Sequence, residues 1–128
     1  MDRAQSISDS ELKIMRVLWE HQGQIMLAPL METLGAQGYH WKATTILTFL
    51  ARLSDKGMVR VKKIGRLNQY IALVTQDEYT ASQTNTFVRE VYGGDTKGLI
   101  ASLLQAGGLS PTELDELRIF WEEAKGSG

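Results

Sequence analysis

The sequence predicts a mainly α-helical protein with one small β-hairpin, followed by a second part that is helical throughout. Three observations predict this class. Capping boxes mark the starts of three helices, the apolar spacing changes from helical to alternating after Gly57, and it returns to helical spacing after Thr75. We therefore divide the 128 residues into one domain over residues 1–74 and a helical segment over residues 75–128.

Capping boxes place three helix starts. In a capping box a Ser or Thr is followed three residues later by Glu, and each side chain accepts a hydrogen bond from a backbone N–H that the first helical turn leaves unpaired. The boxes are Ser8 with Glu11, Thr75 with Glu78, and Ser110 with Glu113. Pro111 follows the last cap at the first helical position, where its missing N–H costs nothing. The boxes predict helices over residues 9–21, 75–92 and 111–124.

Apolar spacing and glycine stops predict three more helices. One covers residues from about 28 to 35 or 38, and its start lacks a capping side chain. Another covers residues 43–56 and ends at Gly57, which can adopt positive φ. A short helix over residues 99–104 lies between two glycine pairs.

A β-hairpin follows the third helix. Residues 58–63 alternate apolar and polar side chains, residues 64–67 suit a turn, and residues 68–73 suit the returning strand. Residues 8–74 thus have the order helix, helix, helix, hairpin. This is the order of the winged helix-turn-helix, in which the third helix enters the major groove of DNA and the hairpin flanks it.

The third helix has one apolar and one polar face. On a helical wheel the apolar side comprises Ala43, Ile46, Phe49, Leu50 and Leu53, and the polar side comprises Thr44, Thr45, Thr48, Arg52 and Asp55. Short hydroxyl side chains let a helix approach base edges closely, and arginine binds guanine or phosphate. The residues predicted to contact DNA are Lys42, Thr44, Thr45, Thr48, Arg52, Arg60, Lys62, Lys63 and Arg66. Of the hairpin residues, Lys63 and Arg66 are the stronger candidates because they lie beside the turn.

The charges are unevenly distributed. Residues 1–74 contain ten Lys or Arg and six Asp or Glu, a net charge of +4, whereas residues 75–128 contain four and nine, a net charge of −5. Residues 42–66 hold seven basic residues against one acid, Asp55. A basic half indicates a polyanionic partner, although a charge run taken alone is also typical of a solvated face. The position of these charges on the third helix and hairpin favours double-stranded DNA.

The helical segment is predicted to form a homodimer. Short amphipathic helices bury little apolar surface alone, and a second copy would cover their stripes. The residues predicted at this interface are Phe87, Val91, Tyr92, Leu99, Leu103, Leu104, Leu114, Leu117 and Trp121. We also expect Trp19 and Trp121 to be core residues, and Trp41 to pack on Ile46 at the start of the third helix.

Several classes of function are disfavoured. The chain has no cysteine, and His21 and His40 are isolated, so we predict no metal site and no cofactor. No catalytic triad, phosphate-binding glycine loop or carboxylate pair is recognisable, which argues against an enzyme. No apolar run reaches the ~18 residues of a membrane-spanning helix. We therefore expect a cytoplasmic protein that does not insert into the membrane.

The sequence resembles the penicillinase-repressor family, the BlaI/MecI type. The resemblance is carried by residues 7–19, by residues 41–57, by Gly65, Arg66 and Tyr70, by Phe87 and residues 92–94, and by residues 109–117. It extends over essentially the whole chain. It implies a homodimeric transcriptional repressor that binds a palindromic operator, with a link to antibiotic resistance. The family often begins its recognition helix with Ser-Pro-Lys-Thr, where this chain has residues 42–45, which implies a different operator sequence.

The resemblance also implies control by proteolysis. In the family, a membrane-embedded sensor-protease that detects a β-lactam leads to cleavage in the short helix of the dimerisation segment. The matching bond here joins Ser102 and Leu103, where the family commonly has Asn-Phe. Members that sense copper use a C-terminal cysteine cluster, which this chain lacks.

Two alternatives belong to other classes. The first is a winged helix used only for protein–protein contact, which would not need the positive charge of residues 42–66 and would bind DNA weakly and without sequence preference. The second is a regulator that responds to a small molecule bound between its two parts. No set of polar residues in the sequence points to such a ligand.

Overall fold

The computed structural model describes residues 6–127, which form helices and one small sheet. The elements in chain order are α1 (Asp9–Glu20), β1 (Gln24–Met26), α2 (Leu27–Ala36), α3 (Ala43–Asp55), β2 (Val59–Ile64), β3 (Leu67–Ala72), α4 (Gln76–Val91), α5 (Thr96–Gln105) and α6 (Pro111–Ser127). The chain forms two compact units that divide inside α4, between Thr84 and Asn85. The mainly helical class with a small sheet is as predicted.

All three capping boxes are formed. At α1 the N–H of Glu11 donates to Ser8 Oγ (3.1 Å) and the N–H of Ser8 donates to Glu11 Oε1 (2.9 Å). The same reciprocal pairs join Thr75 with Glu78 and Ser110 with Glu113. α2 has no side-chain cap, as the sequence indicated. Local hydrogen bonding therefore determines where α1, α4 and α6 begin.

The sheet has three antiparallel strands in the order β1-β3-β2. β1 was not predicted, because a strand of three residues is too short to show alternation. The β2–β3 hairpin, which we call the wing, pairs Val59 with Ala72 at its base and Ile64 with Leu67 at its tip. Its loop is therefore only Gly65 and Arg66, two residues shorter than predicted. Gly65 has φ +64°, the conformation that the first position of a type II′ hairpin loop requires.

The core of the first unit lies between α1, α2, α3 and the sheet. Its buried side chains include Ile14 and Leu18 of α1, Leu30 and Leu34 of α2, Ile46, Leu50 and Leu53 of α3, and Val59 and Tyr70 of the wing. Phe49 packs against this cluster, and Ala43 is half-buried. The predicted apolar face of α3 is thus confirmed, and the opposite face is left outside.

Two partly buried tryptophans, Trp19 and Trp41, pack against this core. Trp19 donates from Nε1 to the Val74 carbonyl (2.9 Å), and its ring lies 6.0 Å from that of Tyr79. The ring of Trp41 stacks on Tyr39 and meets Phe49 edge-on, with both centroid distances 5.3 Å. The ring contact of Trp41 on α3 is with Phe49, one helical turn beyond Ile46, the partner that the sequence predicted.

The second unit comprises the end of α4 with α5 and α6. Asp95 caps α5 through a hydrogen bond from the N–H of Gly98 (2.9 Å). Neither α5 nor the described part of α6 has a buried side chain within the single chain. Trp121 is 62% exposed, so its prediction as a core residue is wrong for one copy of the chain. The stripe containing Trp121 is present, but within the described part of the chain its side chains remain exposed.

Candidate nucleic-acid interface

The outward face of α3 is polar and accessible. Thr44, Thr48, Arg52 and Asp55 are exposed on it, and Thr45 is half-buried at its flank. Thr48 Oγ1 donates to the Thr44 carbonyl (3.0 Å), so its hydroxyl hydrogen is used within the helix. Its oxygen can still accept from a cytosine or adenine amino group, and a threonine methyl suits the methyl of thymine. This face can approach base edges without a bulky obstacle.

The N-terminus of α3 is open to an anion. The N-cap is Lys42, which makes no side-chain hydrogen bond to the first turn. The N–H groups of this turn have no acceptor inside the helix, and they carry the positive end of the helix dipole. With the exposed Lys42 ammonium beside them, they form a suitable place for a DNA phosphate.

The register of the wing separates its basic residues between two sides. Successive side chains of a strand alternate in direction, so Lys63 shares a face with Val61 and the buried Val59. That face is turned toward α3, because Val61 and Leu47 line the same cleft of about 300 Å³. Arg60 and Lys62 lie on the opposite face. The sequence did not distinguish these two sides, because the orientation of a face depends on what packs against it.

Arg66 occupies the second position of the wing loop. It is exposed, and it forms no ion pair with any residue between 6 and 127 that the structure describes. The loop therefore carries a free guanidinium at the point of the wing furthest from the base of the hairpin. Together with Lys63 it extends the positive surface beyond α3.

One basic residue of the 42–66 stretch is not available to DNA. Lys56 Nζ lies 2.7 Å from Oε1 of Glu11, whose side chain is almost completely buried. Burial alone raises the pKa of the Glu11 carboxyl, but hydrogen bonds from Lys56 and Ser8 outweigh it and hold this pKa below its ordinary value of 4.5. This pair joins the start of α1 to the end of α3, and the sequence did not reveal it because 45 residues separate the partners.

The predicted dimerisation residues lie on three helices and one turn. Phe87 and Val91 are exposed on α4, Leu103 and Leu104 on α5, and Leu114, Leu117 and Trp121 on α6, while Tyr92 and Leu99 are half-buried. The rings of Phe87 and Tyr92 lie 5.8 Å apart. Ser102 and Leu103 flank the predicted cleavage bond. Both belong to α5, and both are exposed to solvent. An apolar surface of this extent is unusual for a chain that remains single.

Neither a metal site nor a membrane span is recognisable between residues 6 and 127. No group of three potential ligands among His, Asp and Glu comes together there. His21 Nδ1 lies 2.8 Å from the Val17 carbonyl, a contact within its own helix end. Within the same stretch, each helix is too short or too polar to cross a bilayer.

A helix-turn-helix whose third helix presents a polar face, flanked by a basic two-stranded wing, defines the class of winged-helix DNA-binding proteins. A family model described as "Penicillinase repressor" matches residues 7–123. The chain belongs to the penicillinase repressor family, as its sequence indicated. It is therefore a transcriptional repressor of this family and not an enzyme.

Relatives resemble the chain over nearly its full length. The penicillinase repressor of Bacillus licheniformis is 30% identical over 125 residues, which is 98% of this chain and 96% of that protein. The methicillin resistance regulatory protein MecI of Staphylococcus aureus strain N315 is 27% identical over 117 residues, or 91% of this chain and 94% of that protein. The first name refers to a penicillinase, and the second to the regulation of methicillin resistance.

Two solved structures resemble a part of the chain. The solution structure of the DNA-binding domain of the repressor BlaI has a TM-score of 0.52 and 33% identity, covering 62% of this chain and 94% of that one. The Bacillus licheniformis BlaI monomeric form in complex with the blaP half-operator has a TM-score of 0.51, with the same identity and coverage. The winged-helix fold predicted for this part is confirmed.

Proposed function

We propose that this protein binds a palindromic operator as a homodimer and represses transcription by occupying the promoter. The observation that carries this proposal is the exposed threonine and arginine face of α3 beside the open helix N-terminus at Lys42. The half-operator complex of the BlaI relative supports the same assignment for this chain. In this proposal, residues 1–74 contact DNA and residues 75–128 join the two copies.

The proposed contacts have different tasks. Thr44, Thr45, Thr48 and Arg52 face the bases of the major groove, and Lys42, Lys63 and Arg66 bind the phosphates beside it. Arg60 and Lys62, which the sequence also predicted as contacts, lie on the other face of the wing and are assigned none in this proposal. Two such domains, held about one helical turn (~34 Å) apart, would occupy successive major grooves. Affinity for the operator then depends on pairing, because a single small module binds DNA weakly at physiological salt.

Selection of bound fragments from the host genome tests the proposal directly. We expect the purified chain to enrich short inverted repeats with half-sites centred about 10 base pairs apart, located at promoters. Enrichment of fragments with no shared sequence would contradict specific repression. It would favour instead a winged helix that serves protein–protein contact.

The two sides of the wing provide a matched pair of variants. Lys63 and Lys62 are adjacent and exposed, and neither forms an ion pair within the part of the chain that the structure describes. We expect Lys63→Ala to reduce the slope of log affinity against log salt by about 0.9, the loss of one phosphate contact. Lys62→Ala should leave the slope unchanged. Fluorescence anisotropy with one selected operator, measured at several salt concentrations, provides both values.

The outcome for Arg66 distinguishes two kinds of contact. If Arg66 binds phosphate, Arg66→Ala lowers the affinity for all DNA sequences alike and reduces the salt slope. If Arg66→Ala changes only the preferred bases, the residue contacts base edges, and its assignment to phosphate is wrong.

Equal effects of Lys62→Ala and Lys63→Ala on the salt slope would show that the orientation of the wing toward DNA is not the one proposed.

We also propose the regulatory setting that the family resemblance implies. The protein works in the cytoplasm, and cleavage between Ser102 and Leu103 inactivates it, triggered by a membrane sensor-protease. The exposure of both residues supports this bond. Because the bond lies inside α5, that helix must open before a protease can bind it in extended form. Mass spectrometry of the chain from cells treated with a β-lactam tests this, and an intact chain after derepression would contradict it.

A further inference from the structure

An apolar groove of about 600 Å³ lies between the start of α2, the middle of α3 and the wing. Its apolar lining includes Met26, Leu27, Pro29, Met31, Leu47 and Leu67, with Tyr70 beside them. Arg66 and Asn68 of the wing supply the polar groups, and no Asp or Glu lines the groove. It lies wholly within the first unit, and nothing in the proposed DNA contacts requires it to be apolar.

The groove has the properties of a small-molecule site. Such sites are typically 300–1,000 Å³ in volume, mainly apolar, with a few polar groups that orient the ligand. Leu67 is 62% exposed at the edge, so the single chain leaves apolar surface in water that a ligand would cover. Two methionines in the lining can adapt to ligands of different shape.

The charge of the groove selects an anion. Arg66 has no carboxylate partner among residues 6–127, and a guanidinium binds a carboxylate through two parallel hydrogen bonds. α2 begins beside the groove without a side-chain cap, so the positive end of its dipole lies near this space. Asn68 can donate a further hydrogen bond from its amide. A positively charged ligand would be repelled by these groups, and an uncharged one would form weaker hydrogen bonds with them than a carboxylate does.

We propose that this groove binds a small carboxylate with an apolar body, such as a medium-chain fatty acid. The apolar body packs on Leu27, Leu47 and Leu67, and the carboxylate binds Arg66. Binding itself does not depend on the proposed DNA contacts. A consequence that does rest on the proposed function is weaker DNA binding, because the ligand neutralises Arg66 and lies against Leu47 between the polar face of α3 and the wing.

Calorimetric titration of the full chain with decanoate, below its micelle concentration, tests the site. We expect saturable binding of one decanoate per chain and much weaker binding of decanol, which has the same apolar body without the charge. Leu67→Asn should weaken decanoate binding about tenfold, since it removes one buried leucine contact. The matched control is Leu73→Asn: Leu73 follows β3, is 49% exposed and does not line the groove. Its variant should bind decanoate like the parent chain.

The variants separate the possible failures. Arg66→Gln should lower decanoate affinity about tenfold and leave decanol binding unchanged. Equal loss in the Leu67 and Leu73 variants, equal binding of decanol and decanoate, or non-saturable uptake would overturn the site. If Leu67→Asn instead changes the sedimentation of the chain, the groove is a contact between copies and the proposal is wrong.

The effect on DNA is measured separately. With a selected operator, we expect saturating decanoate to lower the affinity of the parent chain about tenfold. For Leu67→Asn, half of this effect should require an about tenfold higher decanoate concentration. Decanoate binding without any change in operator affinity would retain the site and overturn its regulatory consequence. Failure of the parent chain to select any operator would contradict the proposed function while the calorimetric result stood.

Discussion

Leu117→Asp is expected to convert the protein to single chains and to lower operator affinity by about 100-fold or more. Leu117 lies on the α6 stripe with Leu114 and Trp121, and about half of its surface is exposed in the single chain. A carboxylate there would have to be desolvated in the dimer, which costs several kcal/mol when it is unpaired. Loss of the dimer also lowers the affinity for DNA, because specific dimers typically bind with a Kd of about 10⁻⁸ M or lower, whereas unpaired modules bind far more weakly. Analytical ultracentrifugation and anisotropy with the selected operator measure both effects.

Ile119 provides the control for this experiment. It is 50% exposed on α6, against 49% for Leu117, but it lies on the opposite side of the helix from the stripe. Ile119→Asp should therefore remain a dimer and bind the operator like the parent chain. If Ile119→Asp dissociates the dimer and Leu117→Asp does not, the interface uses the other side of α6, and the predicted set of dimerisation residues is wrong.

Lys56→Met is expected to lower the free energy of unfolding by about 2 to 3 kcal/mol near neutral pH. The substitution leaves Glu11 buried at the start of α1 without its cationic partner, and an uncompensated buried carboxylate is costly. The value lies below the usual loss for a fully buried pair because the Lys56 side chain is 25% exposed. Urea unfolding at one protein concentration measures it. Lys62→Met, which removes an exposed lysine that forms no ion pair with residues 6–127, should change the stability little.

The pH dependence of the same pair has a defined sign. Because the folded state holds the pKa of Glu11 below 4.5, ionised Glu11 stabilises the fold above that pH. This contribution is lost as the pH falls through the lowered pKa of the folded state. The difference in stability between the parent chain and Lys56→Met should therefore be largest near neutral pH and shrink in acid. A difference that stayed constant from pH 7 into acid would show that Lys56 acts through packing and not through the Glu11 charge.

Much of the candidate site could be predicted because it depends on neighbours in the chain. Capping boxes involve residues three positions apart, and the wheel of α3 follows from helical geometry alone. The exposed Thr44, Thr48 and Arg52 are therefore where the sequence placed them. The wing was predicted as a hairpin for the same reason. Its loop is shorter than expected, because alternation of apolar and polar residues indicates a strand but not which residues form its last hydrogen-bonded pair.

The sequence by itself determined the helices, the hairpin, the polar face of α3 and the apolar stripes of the C-terminal segment, because each is a matter of local spacing. Only the tertiary structure decided which side of the wing faces α3, that Lys56 neutralises Glu11, that three residues before α2 join the sheet, and that Leu47 and Leu67 border one groove. The physical reason is that burial and pairing depend on contacts between distant segments. An apolar stripe shows that a surface needs covering, as at Trp121, but only packing shows whether the same chain covers it.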